Sequence, residues 1–403
     1  MKEQMHPLLT DKFVLTILEE LKDTTDTLLI RKKCEGHVSD SVAREVATQI
    51  TMRQRATNKF PQAGAMLFDR EGYEQSSHHA LATYHASLLT PDDIVLEICT
   101  GIGADTIALS RHCKKVYTID SDPNRIALAR HNVAVCGNSD RVTFITEDWA
   151  NVQIPSDVTA IFADPSRRVN GKRKVEPSDY QPTVEDILTQ TTAITKVFIK
   201  LSPGCDYDEL LEKGNVSAIS TNGECKEILF SKRNAEAPSM VSAILLDANA
   251  GGVINHVDNT EFLGITRIVS ELPSITGYII EPDPGIIKAS LVSTVAHTID
   301  ARLLASGIAY LTSEKMTDYP ACTYFKITTV FPSAALKKIK TYLKKQHMTA
   351  LSVKKRGYPL DPTIVQKRLG IKSGSNQHYL FLFKKGKGHA GVLAERVNSD
   401  SKQ

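Results

Sequence analysis

Val95-Leu96-Glu97-Ile98-Cys99-Thr100-Gly101-Ile102-Gly103-Ala104-Asp105 reads as a strand ending in an acid, a turn with glycine at alternate positions, and the start of a helix. Gly101 and Gly103 let the backbone turn sharply and let a ligand approach the main chain. A lone G-x-G is a weak sign, but three further pieces follow in order. The next strand, Val116–Ile119, ends in Asp120, 19 residues after Gly101. An acid there can take both hydroxyls of a ribose. Glu147-Asp148-Trp149 follows the strand Val142–Ile145, and Asp164-Pro165-Ser166-Arg167-Arg168 follows Val158–Ala163. All four pieces lie at strand C-termini, where open α/β sheets bind ligands.

Around this stretch, short β-branched runs alternate with helical patterns. Helices are expected over Thr106–His112, Pro123–Cys136, Val184–Ile194 and around Tyr207–Lys213. Further strands are expected at Val197–Lys200, Val216–Ser220, Ile228–Ser231 and Val241–Leu246. Such alternation implies a doubly wound, mainly parallel α/β sheet with helices on both faces. Upstream, residues 1–88 read as mostly helical. Phe13, Val14, Ile17, Leu18 and Leu21 recur at amphipathic helix spacing, a second helix starts at Asp40-Ser41, and another runs from about Ser76 to Leu88. The stretch 58–72, with Pro and two Gly, reads as a connection. Downstream of the Gly-rich break at Ala248–Gly252, residues 253–395 mix strands and helices without clear alternation, an α+β texture. The division expected is 1–88 helical, 89–250 α/β and 251–403 basic α+β. The last residues, from about Asn398, are expected to fray.

A chain of 403 residues has room for two or three domains at roughly 150 residues each. With 41% hydrophobic and 24% charged residues it is ordinary globular material, which excludes collagen, a disordered chain and a disulfide-stapled mini-protein. No apolar run is long enough to span a membrane, and the start has no signal-peptide core, so a cytoplasmic location is expected. The seven cysteines are odd in number and scattered, with no C-x-x-C pair and no zinc spacing, so reduced thiols and no metal site are expected.

Net charge is only +3, but its distribution is uneven. Segment 331–390 holds 14 Lys and Arg against one acid, Asp361, a net +13, so the rest of the chain carries −10. That asymmetry fits a polyanion-binding region; the alternative is a solvated lysine-rich surface.

The stretch from about 90 to 248 resembles the class I S-adenosylmethionine-dependent methyltransferases, whose sheet is Rossmann-like. Glu97-x-Cys99-x-Gly101-x-Gly103-x-Asp105 matches that family's first motif, which holds the methionine part of the cofactor. Asp120 matches its ribose-binding acid and Asp148 the acid near the adenine, with Trp149 beside it. Asp164-Pro165 occupies the fourth motif, which faces the transferred methyl. A dinucleotide site fits less well, because Thr106 stands where the third Gly of G-x-G-x-x-G belongs. Leu67-Phe68-Asp69-Arg70-Glu71-Gly72-Tyr73 and Ile119-Asp120-Ser121-Asp122-Pro123, with Ala127-x-Ala129-Arg130-x-Asn132, resemble trimethylguanosine synthases. Those enzymes carry Pro-Pro-Trp in the fourth motif, whereas this chain has Pro165-Ser166-Arg167, so cap-guanosine chemistry is not carried over. The Asp-Pro-Ser-Arg-Arg signature, with a helical N-terminus and a basic C-terminus, resembles bacterial methyltransferases with a THUMP-like C-terminal domain. Glu281-Pro282-Asp283-Pro284, Lys355-Arg356-Gly357 and Glu74-Gln75-Ser76 fit that pattern. The resemblance implies S-adenosylmethionine as cofactor and RNA as partner, through segment 331–390.

The chemistry implied is transfer of an activated sulfonium methyl, for which a protein mainly supplies orientation and electrostatics. Asp164 is placed to accept a hydrogen bond from an exocyclic amine or to remove a proton. Pro165 shapes the loop. Arg167 and Arg168, extended by Gly171-Lys172-Arg173-Lys174, stand where an anionic substrate would come; one of the two arginines is as well explained by a structural salt bridge. Asp122 before Pro123 reads as a helix cap, leaving Asp120 for the ribose. Trp149 reads equally as core or as a neighbour of the adenine. Tyr73 lines an entrance or staples a junction, and Cys205 reads as packing. The function expected is methylation of a base nitrogen in rRNA or tRNA. The rivals are a methyltransferase of a small anionic metabolite or protein, and a non-catalytic RNA-binding protein with a relict cofactor fold.

Overall fold

The computed structural model describes residues 11–24, 26–169, 172–173, 175–232, 238–249, 251–259, 275–372, 374 and 377–397. The chain divides into two compact units. The first comprises Met1–Val216, Lys226–Ser239 and Leu246–Val253; the second comprises Ser217–Cys225, Met240–Leu245 and Ile254–Gln403.

The first unit opens with helices α1 (Lys12–Glu20), α2 (Thr27–Cys34) and α3 (Asp40–Ala56). Each starts on a side chain that takes up otherwise orphaned backbone N–H groups: Asp11, Asp26 and Ser39. The cap of α3 is thus Ser39, one residue before the expected start. The stretch expected as connection to residue 72 instead contains the beginning of a helix, α4 (Arg70–Gln75), capped by Asp69, whose Oδ1 accepts from Gly72 N at 2.8 Å. Short helices of this length carry little periodicity to read. Helix α5 (His79–Ser87) follows.

Then the sheet begins. β1 (Ile94–Ile98), α6 (Ala104–His112), β2 (Lys115–Asp120), α7 (Pro123–Cys136), β3 (Val142–Thr146) and β4 (Ala160–Ala163) alternate as the sequence implied. A short antiparallel pair, β5 (Arg168–Val169) and β6 (Lys172–Arg173), is followed by α8 (Val184–Gln190), β7 (Lys196–Leu201), β8 (Gly214–Thr221) and β9 (Glu224–Lys232). The helix expected around Tyr207–Lys213 is a 3-10 turn, Asp208–Glu212.

Within this unit the strands lie in the order β9-β7-β4-β1-β2-β3. All neighbours are parallel except β9, which runs against β7 with Phe198 opposite Ser231. β1 is flanked by β2 and β4, so the chain order reverses on either side of it. A crevice opens at such a switch point, because the loops after β1 and β4 diverge. Strands buried on both faces should be apolar throughout, and β4 is. Two buried charged exceptions, Glu97 in β1 and Lys200 in β7, are therefore informative.

The helices before the sheet share a core with α6 and α7: Val14, Leu18, Val46, Ile50 and Phe68 cluster with Ile102, Ile107, Leu128 and Val133. Tyr73 joins that core edge-on to Phe68, at 5.9 Å between ring centroids, and so acts as a staple. Gly72 is required by close approach: a Cβ there would overlap Arg125 Nη1 and Ile102 Cγ2. Gly72→Ala is expected to destabilise the protein by about 1–3 kcal/mol, the usual scale of overpacking. A thermal melt several degrees below wild type checks it; an unchanged melt counts against this packing.

In the second unit β10 (Val241–Leu246) and β11 (Val253–Asp258) join that unit's own part of β8, residues 217–221, in the order β11-β10-β8. Beyond them β12 (Tyr278–Pro282), α9 (Pro284–Lys288), α10 (Val292–Thr298), β13 (Arg302–Ala305), β14 (Ile308–Ser313), β15 (Cys322–Phe331), α11 (Leu336–Lys345), β16 (Ser352–Arg356), α12 (Pro362–Leu369), β17 (His378–Lys385) and β18 (Gly388–Arg396) build the expected α+β domain. Its seven strands run β13-β14-β12-β15-β18-β17-β16. Alternation along β17 supplies two cores: Phe381 and Phe383 pack with Tyr310 and Phe325, while Leu380 and Leu382 pack under Ile339, Leu343, Val365 and Leu369 of the helices. Helix α11 therefore turns Ile339 and Leu343 inward and leaves Lys337, Lys338, Lys344 and Lys345 exposed. Part of the segment's charge is internally matched. Glu281 binds Lys354 and lies 3.5 Å from Arg356, and Lys355 meets Asp361 at 2.8 Å. Among the described residues no helix is long and apolar enough to cross a membrane, and no group of three or more His, Cys, Asp or Glu could hold a metal ion. The residues from Asn398 onward lie outside the described ones.

Candidate active site

The crevice at the switch point is a cavity of about 880 Å³ in the first unit. That is within the range of cofactor sites. Its wall brings together Cys99, Gly101, Asp105, Asp120, Asp148, Trp149, Asp164, Pro165 and Arg167. Nine carboxylates line it (Glu71, Glu74, Asp105, Asp120, Asp122, Glu147, Asp148, Asp164 and Asp186) against two arginines, Arg125 and Arg167.

The turn after β1 is built from residues in left-handed conformations: Cys99 (φ 65°), Gly101 (φ 56°) and Gly103 (φ 83°). Only glycine enters that region readily, and at Cys99 the turn is held by its N–H on Ile119 O at 2.9 Å. Nothing lies within 4 Å of the point where a Cβ on Gly101 would sit, so the bare backbone faces open space. Gly103 does not reach the cavity; its missing Cβ lets α7 approach, with Ala129 Cα 3.1 Å from where that Cβ would be.

Glu97 also lies behind the cavity wall rather than on it. Its Oε2 accepts from Thr106 and Thr118, both at 2.6 Å, and it is 3% exposed. Burial pushes its carboxyl up to about 8, so at neutral pH it is mostly a neutral acid. It supports the turn from beneath and contributes no charge to the cavity. Asp120 does line the cavity: Oδ2 accepts from Gly101 N and Oδ1 from Asp122 N, each at 3.0 Å. Burial raises its carboxyl above the usual range, partly offset by those two backbone donors. Asp122 caps α7 through Asn124 N, as the sequence implied. Asp148 caps a 3-10 turn, Trp149–Asn151. Trp149 is buried in the wall, and its Nε1 donor has no partner.

Asp164 stands at the end of β4, its N–H on Ile98 O at 3.1 Å. The following Ser166 bridges to Gln181 through two backbone hydrogen bonds, which closes the loop over Pro165. Arg167 lines the cavity, whereas the side chains of Arg168, Lys172 and Arg173, and all of Gly171 and Lys174, fall outside the described residues.

Behind Asp164 and Asp105 lies a charge chain that the sequence reading missed. Lys200 Nζ donates to Asp164 Oδ2 at 2.5 Å, to Ser77 Oγ at 2.6 Å and to Asp105 Oδ2 at 3.2 Å. Asp105 Oδ1 faces His85 Nδ1 at 2.8 Å, and His85 Nε2 faces Glu227 Oε1 at 2.6 Å. With a carboxylate on each ring nitrogen, His85 carries both protons. Burial opposes its charge, but Glu227 and Asp105 outweigh burial and raise it to about 9. Burial alone would raise Asp105 too; Lys200 and His85 instead hold its carboxyl well below the usual range. The signals were a lone lysine in the apolar strand Val197-Phe198-Ile199-Lys200-Leu201 and a histidine in a buried helix. Neither has a partner nearby in sequence.

Two of the shifts, those at His85 and Glu97, make stability fall with rising pH. Both groups have folded values above their unfolded ones. The contribution of His85 is full below about 6.5 and is lost as pH rises through about 9; that of Glu97 is full below about 4.5 and lost through about 8. Melting temperature is expected to decline from pH 6 to about 8; above that, Lys59, which burial brings down to about 8, contributes in the opposite direction and offsets the remaining loss at His85. His85→Gln should make the decline between about pH 6.5 and 8 shallower, and an unchanged slope in that variant would refute the assignment.

The geometry fits S-adenosylmethionine. An acid-lined cavity suits a sulfonium cation, the uncovered Gly101 backbone offers a cradle, and Trp149 Nε1 is an orphaned donor in the wall. Residues 92–209 match the family model described as RNA cap guanine-N2 methyltransferase, and residues 322–396 match THUMP domain-like. These matches support an S-adenosylmethionine-dependent methyltransferase. This methyltransferase is 26% identical over 336 residues to an uncharacterized S-adenosylmethionine-dependent methyltransferase of Mycobacterium tuberculosis, covering 80% of this chain and 87% of that one. It is 28% identical over 148 residues to the trimethylguanosine synthase of Schizosaccharomyces pombe, covering 34% of this chain and 61% of the other. In fold it is similar to a solved structure from Porphyromonas gingivalis W83, whose name assigns it provisionally to the methyltransferases. The TM-score is 0.76 at 22% identity, over 96% of this chain and 99% of that one. The cofactor of this methyltransferase is S-adenosylmethionine, and its C-terminal domain is THUMP-like.

Proposed function

We propose that this methyltransferase acts on RNA, methylating a base nitrogen of an rRNA or tRNA in the cytoplasm. The division that goes with it is a helical domain to residue 88, a catalytic domain over 89–250 and an RNA-gripping domain over 251–403. The observation that carries the reading is the wall of the cavity. Around Asp164 and Pro165 it offers hydrogen-bond acceptors and negative charge, which suit an amino nitrogen of a neutral base. Nine carboxylates against two arginines weigh against a small anionic acceptor. The phosphates would be held instead by exposed cations of the THUMP-like domain, among them Lys337, Lys338, Lys344, Lys345, Lys367, Arg368 and Lys372.

In this reading Asp120 takes the ribose hydroxyls, Trp149 and Asp148 lie at the adenine, and Cys99, Gly101 and Asp105 frame the methionine end. When bound, S-adenosylmethionine supplies an activated methyl group. Asp164 and the backbone at Pro165 accept the acceptor's N–H bonds and aim its lone pair, and Arg167 steadies the neighbouring backbone of the RNA. Arg168 is kept as a partner in that role. One of the two family descriptions, RNA cap guanine-N2 methyltransferase, names RNA, which supports the class of acceptor. Arg167 stands where trimethylguanosine synthases place a stacking Trp, so the cap is not proposed as the substrate.

The test is methyl transfer from radiolabelled S-adenosylmethionine into total RNA from a strain lacking this gene. Label in one RNA, with binding that weakens as salt rises, is the expected result. No label in mature or precursor RNA, with cofactor binding intact, would overturn the RNA reading in favour of a protein acceptor.

A further inference from the structure

We infer that the junction of helices α11 and α12 is the surface that grips the RNA, and that what it grips is a double-helical segment, held by its phosphates and not read by its bases. The inference rests on the reading that this methyltransferase acts on RNA, and adds which surface meets the RNA and in which form.

One contact defines the junction. Lys340 Nζ donates to the backbone carbonyl of Arg368 at 3.0 Å, which ties a flank of α11 to the last turn of α12. Both helices bury their apolar sides with Leu380 and Leu382 of β17, so their outer sides are held in place. Lys337, Lys340 and Lys344 recur at the spacing of one helical stripe, and that stripe runs along the tied flank. Lys337 and Lys344 of α11, Lys367 and Arg368 of α12 and Lys372 just beyond are all exposed. Among the described residues none of these five has an ion-pair partner. Asp361, the one acid of segment 331–390, caps the opposite end of α12 and is held by Lys355 at 2.8 Å. A surface that serves solubility intersperses the two signs. Here like charges are collected where they repel one another, and a polyanion relieves that repulsion.

Two observations select the duplex over the single strand. No Phe, Tyr or Trp is among the exposed large apolar side chains of the described residues. The rings nearest the junction in sequence are engaged inside the domain. Tyr342 stands edge-on to Phe331 with its hydroxyl 2.6 Å from Thr329 Oγ1, and Tyr358 stands edge-on to His389. Single-stranded RNA is held by stacking its bases on aromatic rings, and this surface presents none. The second observation is rigidity. Lys337 and Lys344 lie two turns apart on a packed helix, about 10 Å along its axis. A fixed array of cations suits a ligand whose phosphates are already fixed, whereas a single strand must give up conformational freedom to match it. A duplex also carries about twice the phosphate charge per unit length of one strand.

Fluorescence anisotropy on the full chain tests it, with a labelled RNA duplex of about 20 base pairs and, separately, one of its unpaired strands. At about 100 mM salt the duplex should bind about tenfold tighter than the strand. With the five exposed cations engaged, its affinity should fall about 10²–10³-fold between about 50 and 200 mM salt. Lys337→Gln, Lys344→Gln and Lys367→Gln together should weaken duplex binding about thirtyfold or more and reduce the salt slope by about three. Lys12→Gln, Lys32→Gln and Lys33→Gln change net charge by the same amount on the exposed side of the N-terminal helices, and should leave duplex binding within about twofold of wild type. Calorimetry with S-adenosylmethionine, matching wild type, shows that both variants are folded. Should the first triple variant not fold, Lys344→Gln alone should reduce the slope by about one. A single strand bound as tightly as the duplex, or equal losses in the two triple variants, overturns the inference and leaves RNA as the partner. If neither RNA is held at about 50 mM salt, the RNA reading itself falls, and the inference with it.

Discussion

Replacing Asp164 by asparagine lowers the rate of methyl transfer about 10²–10³-fold, on the scale seen when a charge-stabilising group is removed from an active site. The substitution keeps shape and most hydrogen-bonding capacity but removes the charge that, in the proposed function, faces the acceptor. Cofactor affinity should change by no more than about tenfold, because one charge among nine carboxylates in the wall is lost. Lys200 keeps Asp105 and Ser77 as partners in this variant, so the fold should survive. Single-turnover transfer into the labelled RNA, beside calorimetry with S-adenosylmethionine, separates the two effects. Wild-type turnover in Asp164→Asn would remove Asp164 from the chemistry.

The second large effect is expected at Asp120. Asp120→Ala should weaken S-adenosylmethionine binding by about a hundredfold or more. Asp120 accepts from Gly101 N and Asp122 N, so the residue both shapes the glycine turn and presents its carboxylate to the cavity. Each hydrogen bond to a charged group is worth about 1.5–3 kcal/mol, and 1.4 kcal/mol is tenfold in affinity. Losing the ribose contacts that the proposed function assigns to Asp120 alone reaches the stated figure, and loosening of Gly101 adds to it. RNA retention on the THUMP-like domain should be unchanged, which a filter-binding assay reads. A variant that binds cofactor like wild type would move the ribose elsewhere.

Much of this site was legible along the chain because of where the residues sit. Cys99, Gly101, Asp120, Asp148 and Asp164 each close a strand in the alternating pattern, and strand C-termini converge in any sheet of this topology. The cap at Asp122 was equally legible, since Pro123 at the first helical position leaves few roles for the residue before it. Helix α4 was not, because six residues give no periodicity, and its place against Arg125 depends on Gly72. Glu97 misled in role: its motif position is the same whether its carboxyl turns to the cavity or to Thr106 and Thr118. Only burial between β1, β2 and α6 decides that it is neutral and structural.

Beyond the cofactor class, which the resemblance of its motifs to a known family implied, the sequence by itself determined the α/β core, the order of its motifs and the charge asymmetry of the C-terminal part. These follow from local periodicity, turn chemistry and composition, which act over a few residues at a time. Tertiary structure alone decided which charges are paired and which face the cavity. His85 and Glu227 are 142 residues apart and Lys200 and Ser77 are 123 apart. Their contacts arise only when strands pair and helices dock. Two charges taken from water into a core must find each other there, and no spacing along a chain records that requirement.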